Sequence, residues 1–171
     1  MIRINSAKKI AFLALMLAVI LTLSFLEHMI PPVPFLPPGV KLGLSNIAVM
    51  YCVFFVGKPQ AFALNALKSG FVFILRGPVS GFLSLCGGML SLCAVILLLV
   101  ILKKKLSYVT AGVSGAVAHN LGQYAAYSLI LRMDLLLYYL PVLIISGIIM
   151  GVVTGVLLSV ALPALNKINK F

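Results

Sequence analysis

Ala7-Lys-Lys-Ile-Ala-Phe-Leu-Ala-Leu-Met-Leu-Ala-Val-Ile-Leu-Thr-Leu-Ser-Phe-Leu26 is the stretch whose reading decides the fold. From Ile10 onward it carries no charge. A hydrocarbon core about 30 Å thick needs about 20 predominantly apolar residues to be crossed by a helix. A helix also satisfies its own backbone hydrogen bonds where no water is present. The run therefore reads as a membrane helix. The basic residues before it imitate a secretory signal, but no small-residue cleavage site and soluble domain follow, so the expectation is a retained first span.

The rest of the chain repeats this pattern. It is 63% hydrophobic and 9% charged, against about 25% charged in ordinary soluble domains. So few charges cannot cover a water-facing surface. Further helices are expected at about 41–56, 59–75, 81–102, 108–131 and 138–162. Gly57-Lys58-Pro59, Gly77-Pro78, Lys103-Lys104-Lys105 and Arg132-Met-Asp134 punctuate them. The expected fold is all-α: a single membrane domain over residues 1–171, built as a six-transmembrane-helix bundle.

Thirteen Lys and Arg stand against Glu27 and Asp134. In a soluble protein that balance would suggest nucleic acid. Here the basic residues lie between apolar runs and report topology, so no nucleic-acid partner is expected. Six spans place Arg3, Lys8, Lys9, Lys58, Lys103, Lys104, Lys105, Lys167 and Lys170 on one side. Lys41, Arg76 and Arg132 fall on the other, and Lys68 on neither. The positive-inside rule then puts both termini in the cytoplasm and the proline-rich segment 31–38 outside, as a stiff lid or a plain connector. The expected location is the cell membrane, with lipid as a neighbour.

Small residues form stripes: Gly147, Gly151, Gly155 and Ser159 in helix six, Ala118, Gly122 and Ala126 in helix five, and Ala7, Ala11, Ala14 and Ala18 in helix one. Such spacing lets helices approach closely. The helix-one stripe serves either internal packing or the docking of another membrane subunit. Cys52, Cys86 and Cys93 all lie in apolar runs without a CxxC pair, which favours buried, inert thiols and gives no metal site.

The chemistry-bearing residues are few. There is no GxxxxGK[ST] loop and no pair of carboxylates for metal-assisted diphosphate chemistry, so neither catalysis nor a cofactor is expected. What stands out is Lys68, near the middle of helix three, where a cation is costly and functional by default. Asn65 lies one turn before it and Arg76 follows two turns later, expected on the same face. Together they suit an anionic group such as a carboxylate or phosphate. His119, Asn120 and Gln123 in helix five either hydrogen-bond a solute or act as interhelical glue, with Tyr124 and Tyr127 as aromatic neighbours. Helix two opens Lys41-Leu-Gly-Leu-Ser-Asn46. Its N-terminus either offers backbone N–H groups to an anion or is simply capped. Glu27 either pairs with Lys41 or Arg76 or ends helix one in water, beside His28.

The basic N-terminus before an alanine-striped helix, the Lys-Leu-Gly-Leu-Ser-Asn46 segment and His119-Asn120-x-Gly122-Gln123 together resemble the Gx transporter family. That family is also labelled heptaprenyl diphosphate synthase component I, and it is similar to the S components of energy-coupling factor transporters. The resemblance covers nearly the whole chain. It implies a six-helix subunit that binds a vitamin-like, quinone-precursor or isoprenoid-related solute in an outward cavity. It further implies a transmembrane coupling subunit and two cytoplasmic ATPase subunits as partners, docked through Ala7 and Ala11 with Ala14 and Ala18 repeating the spacing. Prenyl synthases use aspartate-rich motifs, and Asp134 is the one aspartate here. A synthase role is therefore expected to be at most that of a non-catalytic accessory subunit. The residues expected to line a solute site are Asn46, Asn65, Lys68, Arg76, His119, Asn120 and Gln123.

Overall fold

The computed structural model describes residues 6–29, 43–131 and 140–168. The proline-rich segment 31–38, Lys41 and the Arg132–Asp134 turn lie outside the described residues. Those described form six α-helices: α1 (Ser6–Met29), α2 (Leu44–Phe55), α3 (Lys58–Arg76), α4 (Pro78–Leu102), α5 (Tyr108–Leu131) and α6 (Leu140–Ile168). A single 3-10 turn at Lys103–Lys105 joins α4 to α5. No strand occurs among the described residues.

Local chemistry sets the joints. α3 and α4 are separated by one residue, Gly77, at φ 86. This left-handed conformation is cheap for glycine alone. Pro78 follows at the first helical position, where its missing N–H is no loss. α4 therefore begins three residues before the expected Gly81. α6 runs past the expected stop at Leu162, with Pro163 inside the helix.

Helices α2 to α6 form a ring. α3 packs on α2 and α4, α5 lies between α4 and α6, and α2 reaches α6 to close the circle. α1 leans on α2 and α3 from outside. Its inner face is Met16, Ile20, Ser24 and Glu27, all buried. Ala7, Ala11, Ala14 and Ala18 point the opposite way and are exposed, as the 3.6-residue period requires. One end of the ring is closed by aromatics. Tyr51 stacks on Phe55 at 5.0 Å between centroids, and Phe54 meets Tyr108 edge-on at 5.2 Å.

Three helices are long and apolar enough to cross a membrane: Ala7–Glu27, Pro78–Leu102 and Leu140–Pro163. α2 is shorter, with 12 residues. α3 and α5 carry the polar residues Asn65, Lys68, His119, Asn120 and Gln123, which dilute their apolar character. Large hydrophobics such as Ile74, Leu97, Ile101, Leu129 and Val160 make up more than half of the exposed positions among the described residues. That surface suits lipid and not water. Of the cysteines, Cys52 is buried as expected, whereas Cys93 lies on the exposed flank of α4.

The glycine stripe of α6 meets α5 backbone to backbone. A methyl group on Gly155 would sit 2.5 Å from Val109 Cα and 2.8 Å from the Tyr108 carbonyl, and one on Gly151 would strike Val113 and the Gly112 carbonyl. Gly155→Leu should therefore part the two helices and destabilise the bundle by about 1–3 kcal/mol, the usual cost of overpacking. Val152→Leu, on the exposed flank of the same helix, should change stability by no more than about 0.5 kcal/mol. Unfolding of the two variants in detergent checks both.

Candidate functional site

Within the ring lies a cavity of about 60 Å³. Asn46, Asn65, Lys68, His119, Asn120 and Gln123 all line it, joined by Ser24, Glu27, Ser84, Gly88, Ser91 and Thr154 among others. Five helices of the ring and α1 thus send polar atoms to one place.

Lys68 is 5% exposed, and its ammonium donates a 2.6 Å hydrogen bond to Asn46 Oδ1. This bond ties α3 to the start of α2. Asn65, one turn earlier, is 1% exposed; its carbonyl oxygen on the backbone accepts from Ser69 Oγ at 2.9 Å. Its side-chain Nδ2 is buried with no hydrogen-bond partner. The carboxamide of Asn65 presses into α4 at Gly88, where even a methyl group would overlap it. Gly87, the next residue, performs the same service for α5. A methyl there would lie 2.7 Å from Gln123 Cγ and 3.1 Å from His119 Cε1. The pair Gly87-Gly88 is therefore what lets amide and imidazole side chains from two neighbouring helices lie against α4.

Asn120 takes the glue role. Its Nδ2 donates to the Leu143 carbonyl at 2.8 Å, pinning α5 to the start of α6. His119 and Gln123, one turn apart, face the cavity. Tyr124 and Tyr127 are not among its lining, and Tyr127 is exposed.

Two expectations change here. Arg76 is exposed at the last position of α3 and does not line the cavity. Eight residues of α-helix turn through 800°, so Arg76 lies about 80° round from Lys68 and about 12 Å further along. Glu27 is not a solvated helix end, for it is 8% exposed. Its Oε1 accepts the Leu44 N–H at 2.7 Å and its Oε2 accepts the Ser45 hydroxyl at 3.0 Å. Gly43 makes no side-chain cap, so Glu27 caps α2 from the neighbouring helix and sits on the positive end of its dipole. Of the two readings of this helix N-terminus, an anion site or simple capping, the structure matches capping, supplied by the chain's own carboxylate.

Several lining residues were not singled out from the sequence, yet a signal existed. Ser84, Gly88 and Ser91 are spaced by four and three in an otherwise apolar helix, which marks one small, polar face. Among the described residues, no three His, Cys, Asp or Glu side chains come together in a way that would hold a metal ion.

The profile of heptaprenyl diphosphate synthase component I matches residues 16–161, from the inner face of α1 almost to the end of α6. The chain belongs to this family. Comparison with curated proteins and with solved structures finds no match. The heptaprenyl diphosphate synthase component I match takes in every cavity-lining residue, so the polar interior lies wholly within the part of the chain that defines the family.

Two substitutions probe this geometry. Glu27→Leu removes two acceptors from buried donors and should cost about 1–3 kcal/mol for each group left unpaired. Its signature is faster amide hydrogen exchange in the first turn of α2 than elsewhere. Gly88→Ala should displace the Asn65 carboxamide and lower stability by about 1–3 kcal/mol through overpacking, read out by thermal unfolding, while Gly70→Ala, with open space around it, should not destabilise.

Proposed function

We propose that this chain is the substrate-binding membrane subunit, an S component, of an energy-coupling factor-type transporter. It lies in the cell membrane with six spans and both termini in the cytoplasm. The single observation that carries this reading is Lys68. A buried ammonium beside the amides of Asn46 and Asn65 is what recognition of a small anionic solute requires, and it is expensive to keep for packing alone.

The solute enters the ring and takes hydrogen bonds from Lys68 and Asn65, with His119 and Gln123 facing it from α5. At about 60 Å³ the cavity is small, whereas sites for drug-sized ligands span about 300–1,000 Å³. Binding therefore widens it. α2 is the helix to move, because it is the shortest and its cavity end is held by three hydrogen bonds that a solute can compete for, Leu44 and Ser45 to Glu27 and Lys68 to Asn46. The chain performs no chemistry on the solute. Its sequence carries no P-loop, so the energy comes from two cytoplasmic ATPase subunits through a membrane coupling subunit. The exposed alanine face of α1 is where that subunit would dock, since small residues allow close helix approach.

The family's description favours a second reading, a non-catalytic accessory subunit of a prenyl diphosphate synthase. Co-purification separates the two. ATPases and a coupling subunit are expected with this chain, and a soluble prenyl synthase in their place would overturn the transport reading. Within the transport reading, Lys68→Met should weaken binding of the co-purified solute by at least about tenfold, given about 1.5–3 kcal/mol for a hydrogen bond to a charged group. Equilibrium binding checks this, with helicity by circular dichroism as the folding control. Unchanged affinity would remove Lys68 from the site.

A further inference from the structure

We propose that the groove between α1 and α3 holds one acyl chain of an anionic phospholipid, with the lipid headgroup at Lys9 and Lys58. This inference needs a chain seated in a membrane and does not depend on solute binding.

The groove has a volume of about 410 Å³. Ile10, Leu13 and Leu17 line it from α1, and Pro59, Leu64 and Leu67 from α3. Leu64 is buried while Ile10 and Leu67 are exposed, so the groove opens to the surface. The two helices run the same way. Glu27, near the end of α1, meets the start of α2, and Val56-Gly57 alone separates α2 from α3. α1 and α3 therefore begin at one end of the bundle. On each of them the lining starts directly after a lysine: Lys9 precedes Ile10, and Lys58 precedes Pro59. From that end the lining covers about 10–12 Å of helix axis, at 1.5 Å per residue. One leaflet supplies about 15 Å of hydrocarbon, half of a core about 30 Å thick. The groove thus has the depth of a lipid tail and starts where a headgroup would lie.

Charge decides which kind of lipid. Phe54, near the end of α2, meets Tyr108 at the start of α5, which brings the Lys103–Lys105 turn to this same end of the bundle. Glu27 is the one acid among the described residues, and it lies at the opposite end. The end where the groove begins is therefore strongly basic. Clusters of this kind attract anionic headgroups, and a lysine can hold its ammonium at the interface while its stem lies along apolar surface. The walls argue against a membrane helix as the occupant. Close helix packing in lipid relies on small residues, and of the α1 alanine stripe Ala14 alone is in the lining. Ile10 and the four leucines hold a helix backbone away, but they leave room for a thin, flexible chain. The lipid then lies beside the alanine face of α1 and not across it.

The test uses the full chain, purified in mild detergent and stripped of lipid. Phosphatidylglycerol or phosphatidylcholine with identical acyl chains is added back at equal concentration, and bound lipid is counted by native mass spectrometry. Phosphatidylglycerol should be retained over phosphatidylcholine by at least about fivefold. Ala63→Phe, which plugs the groove from an exposed position, should lower retention of phosphatidylglycerol by a similar factor. The double variant Lys9→Gln/Lys58→Gln should bring the ratio of the two lipids below about twofold. Helicity by circular dichroism shows which variants are folded. Equal retention of both lipids by the unaltered chain overturns the proposal. So does a phosphatidylglycerol preference that survives either folded variant, because the lipid then sits elsewhere. Loss of a co-purifying membrane protein from Ala63→Phe, with lipid retention unchanged, makes the groove a protein interface and overturns it as well.

Discussion

The hydrogen bond from the Lys68 ammonium to Asn46 is the contact around which this bundle is organised. A buried ammonium cannot be left among apolar side chains without an acceptor, because burying an unpaired charge is costly. It needs an acceptor, and that acceptor comes from another helix. Placing Asn46 there positions the first turn of α2 at the cavity and brings it to the end of α1. There Glu27 closes the helix terminus that Gly43 leaves uncapped. Two charged residues of opposite sign thus fix one short helix from both sides.

Such a polar interior is possible because the helices that surround it are thinned by glycine. In α6, Gly151 and Gly155 serve close packing, bringing the helix onto the α5 backbone. In α4 the same residue type does something else. Gly87 and Gly88 make hollows for side chains of α5 and α3 that are long and polar. Lipid gives no hydrophobic drive between helices, so close approach and interhelical hydrogen bonds carry the assembly. The Asn120 bond to the Leu143 carbonyl is the second kind of contact. The residues that hold the bundle together and those that line its cavity are therefore interleaved on the same helices.

The outer surface reads differently from the interior. Large aliphatic residues cover most of it, while one face of α1 is reduced to alanine. The family description speaks of a synthase component.

The apolar runs, the turn residues and the isolated lysine were legible from residue order, because membrane depth and helix punctuation are properties of local sequence. The six cavity residues Asn46, Asn65, Lys68, His119, Asn120 and Gln123 were legible for the same reason: each is a polar side chain in an apolar run. Arg76 was misplaced by extending a face over eight residues, farther than the helical period keeps it aligned. Glu27 was misread because its partners lie 17 and 18 residues on, in a different helix. The sequence by itself determined that this chain is helical, that it suits a membrane, and which residues are too polar for lipid. Tertiary structure alone decided which of them meet, because meeting depends on how helices pack and on glycines whose value is set by the neighbour across the interface.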